Sequence, residues 1–106
     1  MKHLGVELVE EILTQEFRDK LEVLAGVTEE DITITERGFK FSFKNSLQAN
    51  KFRVIKYHDD VIIEFRIVTD NLIEGVTDKL VHESVVKPQD VYTRFQDITN
   101  IYLDYV

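Results

Sequence analysis

The sequence predicts an α+β fold: a two-layer sandwich of an antiparallel sheet of four or five strands, a long N-terminal helix and a C-terminal helix. Three observations carry this. Val9, Leu13, Phe17, Leu21 and Leu24 recur at spacings of four, four, four and three, one face of a helix. Phe39, Phe41 and Phe43 alternate with Lys40, Ser42 and Lys44, the period of a half-buried strand. Pro88 stands where a last helix would open, and Val91, Phe95, Ile98 and Tyr102 mark the face it would bury.

Between these landmarks the elements follow in order. The first helix runs from Leu4 to Leu24, with Leu8 and Ile12 widening its apolar stripe and a Glu16/Lys20 pair on its surface. Gly26 ends it, because glycine takes the left-handed conformation without penalty. Thr28 to Asp31 reads as one capped turn. Ile32–Thr35 and Phe39–Lys44 form a hairpin around Glu36-Arg37-Gly38, and Asn45–Asn50 is a polar connection. Phe52–Tyr57 and Val61–Val68 are two further strands. In the second, Val61, Ile63, Phe65 and Ile67 share one face, and Ile62, Glu64, Arg66 and Val68 the other. Asp70–Gly75 reads as loop. Lys79–Val86 fits a fifth strand or a helix, and its β-branched end favours the strand. Asn100 ends the last helix, and Leu103–Val106 trails onto the core. The expected order is α-β-β-β-β-(β)-α with both helices on the phenylalanine face; helices on both sides of the sheet are the alternative.

The totals bound what the chain can be. Its 106 residues make one domain, residues 1–106, with no repeat and no linker. At this length folding buries roughly 65% of the unfolded chain's surface, enough for a core without metal or disulfide support. Cysteine is absent, which removes disulfides, thiolate nucleophiles, cysteine-based zinc sites and iron–sulfur clusters. No apolar run follows Met1 as a secretory signal would, and none approaches the ~20 residues that span a bilayer. The expectation is a cytoplasmic protein with no membrane partner. The net charge of −7 is uneven: −6 over residues 1–31, +3 over 32–69 and −4 over 70–106. The overall sign opposes non-specific nucleic-acid binding, and the basic middle leaves room for a local one.

Two motifs invite a catalytic reading. Tyr57-His58-Asp59-Asp60 resembles the Y-x-D-D hairpin of reverse transcriptases, where paired aspartates hold catalytic metal. Two-metal chemistry needs carboxylates from more than one segment, and the neighbouring Phe39–Lys44 strand offers none. His58-Asp59 also spells the metal-binding pair of phosphohydrolases, which recruit further histidines from helices. The other histidines here are His3, at the terminus, and His82, in the fifth strand. Asp59 and Asp60 therefore read as a turn, where aspartate bonds nearby backbone amides. The four glycines are isolated, so no phosphate loop exists, and no serine has an elbow context. No catalytic residue, metal ligand or cofactor is assigned.

Two surfaces carry the binding readings. Glu7, Glu10 and Glu11 make an acidic face on the first helix, which would complement a basic groove on a protein, as nucleic-acid phosphate does. Lys40, Lys44, Arg53, Tyr57 and Arg66 share the sheet face opposite the phenylalanines, with Ile55, Ile62 and Val68 among them. Aliphatic residues with arginine suit a protein partner or a homodimer. Basic residues beside an aromatic are also what nucleic-acid-binding sheets use, although Tyr57 is the only aromatic placed there. The leading expectation is a non-catalytic protein-binding module; nucleic-acid binding through the basic face is the alternative.

The segment "VYTRFQDITNIYL", Val91 to Leu103, resembles the tail of small phage and prophage proteins of unknown function, in which a strand leads into a "VY…L…TGLY"-like ending. The chain departs from that pattern at Asn100, where glycine is usual. The resemblance covers about an eighth of the chain. It implies a phage or mobile-element origin and an inhibitor or adaptor of host machinery.

Overall fold

The computed structural model describes residues 4–105; His3 and the end of the expected tail at Val106 lie outside the described residues. The architecture is α+β. Helices α1 (Leu4–Ile12), α2 (Gln15–Ala25) and α3 (Val91–Thr99) accompany one five-stranded antiparallel sheet. Its strands are β1 (Thr33–Ile34), β2 (Gly38–Ser42), β3 (Lys51–Tyr57), β4 (Asp60–Asn71) and β5 (Gly75–Val86). They run in chain order across the sheet, so each pairs with the next through a hairpin-like connection. Residues Lys79–Val86 are strand, as the β-branched end suggested.

The expected single N-terminal helix is two helices. The break falls at Leu13-Thr14, and its chemistry is local. Thr14 takes an extended backbone, and its hydroxyl accepts from the Phe17 amide at 3.3 Å, capping α2. The Leu13 carbonyl, freed by the break, accepts from Arg18 Nε at 3.0 Å. The apolar periodicity runs through the break, because Leu13, Phe17 and Leu21 all reach the core. Hydrophobic spacing alone could not reveal it.

The helix ends otherwise follow the local chemistry. Gly26 closes α2 at φ +65°, and Asn100 closes α3 at φ +61°. Thr28 and Asp31 form a reciprocal capping box around the short 3-10 turn Glu29–Asp31. A second 3-10 turn, Pro88–Asp90, precedes α3. The buried face of α3 differs from expectation at its end. Val91 and Phe95 are buried, but Tyr102 is exposed, while Ile101 and Leu103 go inside. The left-handed turn at Asn100 ends the helical period, so spacing no longer predicts direction beyond it.

All three helices contribute to one layer, against the face bearing Phe39, Phe41, Phe43, Phe52, Val54, Val61, Ile63 and Phe65. Phe95 of α3 is the hub. Its ring lies between 5.2 and 6.1 Å from those of Phe17, Phe41, Phe43, Phe52 and Phe65. Strand β2 also approaches its neighbours closely. A Cβ on Gly38 would sit 1.7 Å from the Val54 carbonyl oxygen, so only glycine fits there.

Strands β4 and β5 outrun the sheet. The last β3 residue to pair with β4 is Lys51, opposite Arg66. Beyond it β4 and β5 continue as a two-stranded ribbon to the turn after Asn71. The expected 70–75 loop is therefore shorter than predicted, because Asp70 still pairs with Val76 and Asn71 with Gly75.

Candidate functional site

The open face of the sheet is built by strand register. Residues directly opposite in antiparallel strands share a face. One row across the sheet reads Thr33, Lys40, Arg53, Glu64, Glu83. The next row toward the ribbon reads Ser42, Lys51, Arg66, Leu80. On the other side lies an aliphatic row, Ile55, Ile62, Val85. Except for Glu83 and Leu80 of β5, the first two rows line an open groove of about 580 Å³, walled by Asp31 on one side and by Val76 and Asp78 of the ribbon on the other.

A β-bulge shapes this face. Phe65 pairs with His82 but Arg66 pairs with Leu80, so β5 has one extra residue at Val81. Simple alternation would group Leu80 with His82. The bulge instead brings Leu80 to the side of Glu83 and Val85, and it sets Asp78 within reach of Arg66.

Arg66 is not a free cation. Its Nε meets Glu64 Oε1 at 2.6 Å and its Nη1 meets Asp78 Oδ1 at 3.1 Å. These two carboxylates, Glu64 first, raise the guanidinium pKa above its usual range. Glu64 is buried, although it stands on the open face. The sequence placed it on this face, but its role as Arg66's partner required the fold.

The other expected residues are only partly brought together. Lys40 and Arg53 are adjacent, exposed and in the groove. Lys44 lies past the end of β2, at the edge, where its amide donates to the Ala25 carbonyl at 2.8 Å. Tyr57 stands at the far end of β3, its ring against His58 at 4.7 Å, outside the groove. The aromatic and the cations that a nucleic-acid surface would combine are thus separated. Lys51 belongs to the groove and was missed, as was the ribbon wall.

His58-Asp59 is a turn, as read, but Asp60 already belongs to β4. Tyr57 pairs with Asp60, His58 takes φ +53°, and Asp60 meets Lys87 at 3.7 Å. Among the described residues no group of three or more histidines, aspartates and glutamates is placed to hold a metal ion. Glu7, Glu10 and Glu11 are all exposed on α1, opposite its buried Leu8, Val9 and Ile12.

The ribbon is the feature sequence reading did not anticipate. Asn50 anchors its base by mimicking a strand residue. Its side chain donates to the Val68 carbonyl at 2.6 Å and accepts from the Val68 amide at 2.8 Å. Thr69 and Thr77 bond hydroxyl to hydroxyl across it. At the tip Asn71 Oδ1 accepts from the Ile73 amide at 2.8 Å, and Gly75 supplies φ +79°. That turn leaves Leu72 and Ile73 106% and 93% exposed, and Val76 and Leu80 are exposed behind them. The four aliphatics stand at spacings of one, three and four, a helical spacing with no strand alternation, so their pattern did not point to a ribbon.

No known protein family matches the chain, and no curated protein or solved structure is detectably similar to it. Among the described residues no helix is long and apolar enough to cross a membrane.

Proposed function

We propose that this chain is a non-catalytic protein-binding module that grips its partner with the β4–β5 ribbon. The observation that carries the reading is the ribbon's tip: two large aliphatic side chains held fully in solvent by a turn that the Asn71 side chain closes. Exposed contiguous apolar surface on a folded chain marks an interaction site. Asp70 and Glu74 beside the tip supply charge around the apolar anchors, the arrangement of a protein interface. The acidic α1 face offers charge without such an anchor, and it ranks second as a contact surface. An inhibitor or adaptor of other machinery, the role implied by the resemblance of Val91–Leu103, fits a small module of this kind.

Nucleic-acid binding through the open face draws less support. Arg66 is committed to two carboxylates, and Tyr57 lies apart from Lys40 and Arg53. The test is a comparison of tagged wild-type chain with Leu72→Asp/Ile73→Asp, each exposed to native lysate with and without nuclease. A protein captured by wild type in both conditions and lost with the tip variant supports the reading. Capture that nuclease abolishes, or that ignores the tip variant, rejects it.

A further inference from the structure

The row Lys40, Arg53, Glu64, Glu83 segregates its charges: two positive residues side by side, then two negative. Both like-charge pairs stand directly opposite across neighbouring strands, an arrangement that destabilises an isolated sheet. Alternating signs would have been favourable at the same four positions. Among the described residues no ion pair holds Lys40, Arg53 or Glu83. Beside this row lies the aliphatic row Ile55, Ile62, Val85, with Val85 more than half exposed.

We infer that the open face is the interface of a homodimer, two copies packing face to face about a twofold axis parallel to the strands between β3 and β4. That axis exchanges β2 with β5 and β3 with β4. Lys40 of one copy then lies over Glu83 of the other and Ile55 over Ile62, while Arg53 lies over Glu64, which is buried against Arg66 and adds no free charge. A twofold axis across the strands and through this row would set Lys40 on Lys40 and Glu83 on Glu83, so for this row charge selects the first. In the next row Lys51 comes over Arg66, whose charge Glu64 and Asp78 already offset, so the patch complements itself in both copies, as an isologous interface requires. Because the axis runs along the strands, both ribbons leave the dimer at the same end.

The dimer uses a surface other than the ribbon tip, so either can fail alone. The test is sedimentation of the intact chain from about 1 µM to about 500 µM, the range in which micromolar association is visible. Three samples are compared with wild type: Lys40→Glu, Glu83→Lys, and the two mixed in equal amounts, one carrying an isotope label. Wild type is expected to dimerise, and each variant to associate roughly tenfold more weakly, since each turns two attractions into repulsions. The mixture is expected to recover wild-type mass as heterodimer, because both intersubunit contacts become opposite-charged again. Within one chain each substitution relieves a like-charge neighbour, so the variants' melting temperatures should hold or rise while association falls. A purely structural role for these residues would not produce that split. Lys40→Gln and Glu83→Gln serve as milder variants expected to weaken association less. Wild type monomeric throughout, single variants as dimeric as wild type, or a mixture that stays monomeric would each overturn the inference.

Discussion

Strands β4 and β5 behave differently along their length. Near the helices, Val61, Ile63 and Phe65 are fully buried. Past Val68, every residue from Thr69 to Val81 is exposed. On either side of the bulge the local ladder is of the same kind: antiparallel, regularly paired, hydrogen-bonded. What differs is the third layer of contacts. The proximal half has β3 alongside and Phe95 above; the distal half has neither. Strand pairing therefore sets shape in both halves, and packing sets stability in only one. A two-stranded ribbon is marginal by itself in water. Its persistence here rests on Asn50 at the base, the threonine pair in the middle and the Asn71 turn at the tip.

Four variants break or sharpen that contrast. The largest effect belongs to the packed half. Phe95→Ala removes a ring that touches five others and should cost about 3–5 kcal/mol, read as a large drop in chemical-denaturation midpoint. Asn50→Ala should act on the boundary. It leaves the Val68 backbone groups without their partner, a loss of about 1–3 kcal/mol. Hydrogen exchange should report this as faster exchange from Val68 to Lys79, with the proximal β4 amides still protected. Equal acceleration of both halves would show that they open together.

The third prediction concerns pH and a clasp remote from the ribbon. Asp104 is held below the usual carboxylate range by the Tyr92 hydroxyl first and then by Gln96. The same Tyr92 oxygen accepts from Lys20 Nζ at 2.9 Å, and Lys20 also meets Glu16 at 3.1 Å. A carboxylate with a depressed folded pKa stabilises fully above its unfolded value, and that share is lost as pH falls through the folded one. Asp104→Asn should therefore lower the melting temperature at neutral pH and narrow the gap to wild type in acid. A gap unchanged between pH 7 and pH 2, roughly the span of carboxylate titration, would reject the clasp. The smallest expected effect on stability is at the tip. Leu72→Asp/Ile73→Asp should move stability by no more than about 0.5 kcal/mol while removing partner capture.

Much of the fold was legible from short-range chemistry. The alternating phenylalanines, the glycine and asparagine at helix ends, the Thr28 capping box and the His58-Asp59 turn are each decided within a few residues. Period and capping physics apply to them before any tertiary contact forms. The helix break at Thr14 was equally local, but an apolar stripe that runs through it masked it. The candidate surface was legible only as a list of residue types. Lys40 and Arg53 could be placed on one face by alternation. The Glu64–Arg66–Asp78 network could not, because a bulge at Val81 changes which β5 residues face the groove.

By itself, the sequence determined the class of fold, the order of the strands, the composition of the core face and the sign of charge on each segment. Those follow from periodicity and from preferences of single residues. Only the tertiary structure decided which strands end early, where the ribbon leaves the sheet, and which like charges stand side by side. Those depend on register between segments far apart in the chain, and register is set by the joint packing of the core around Phe95.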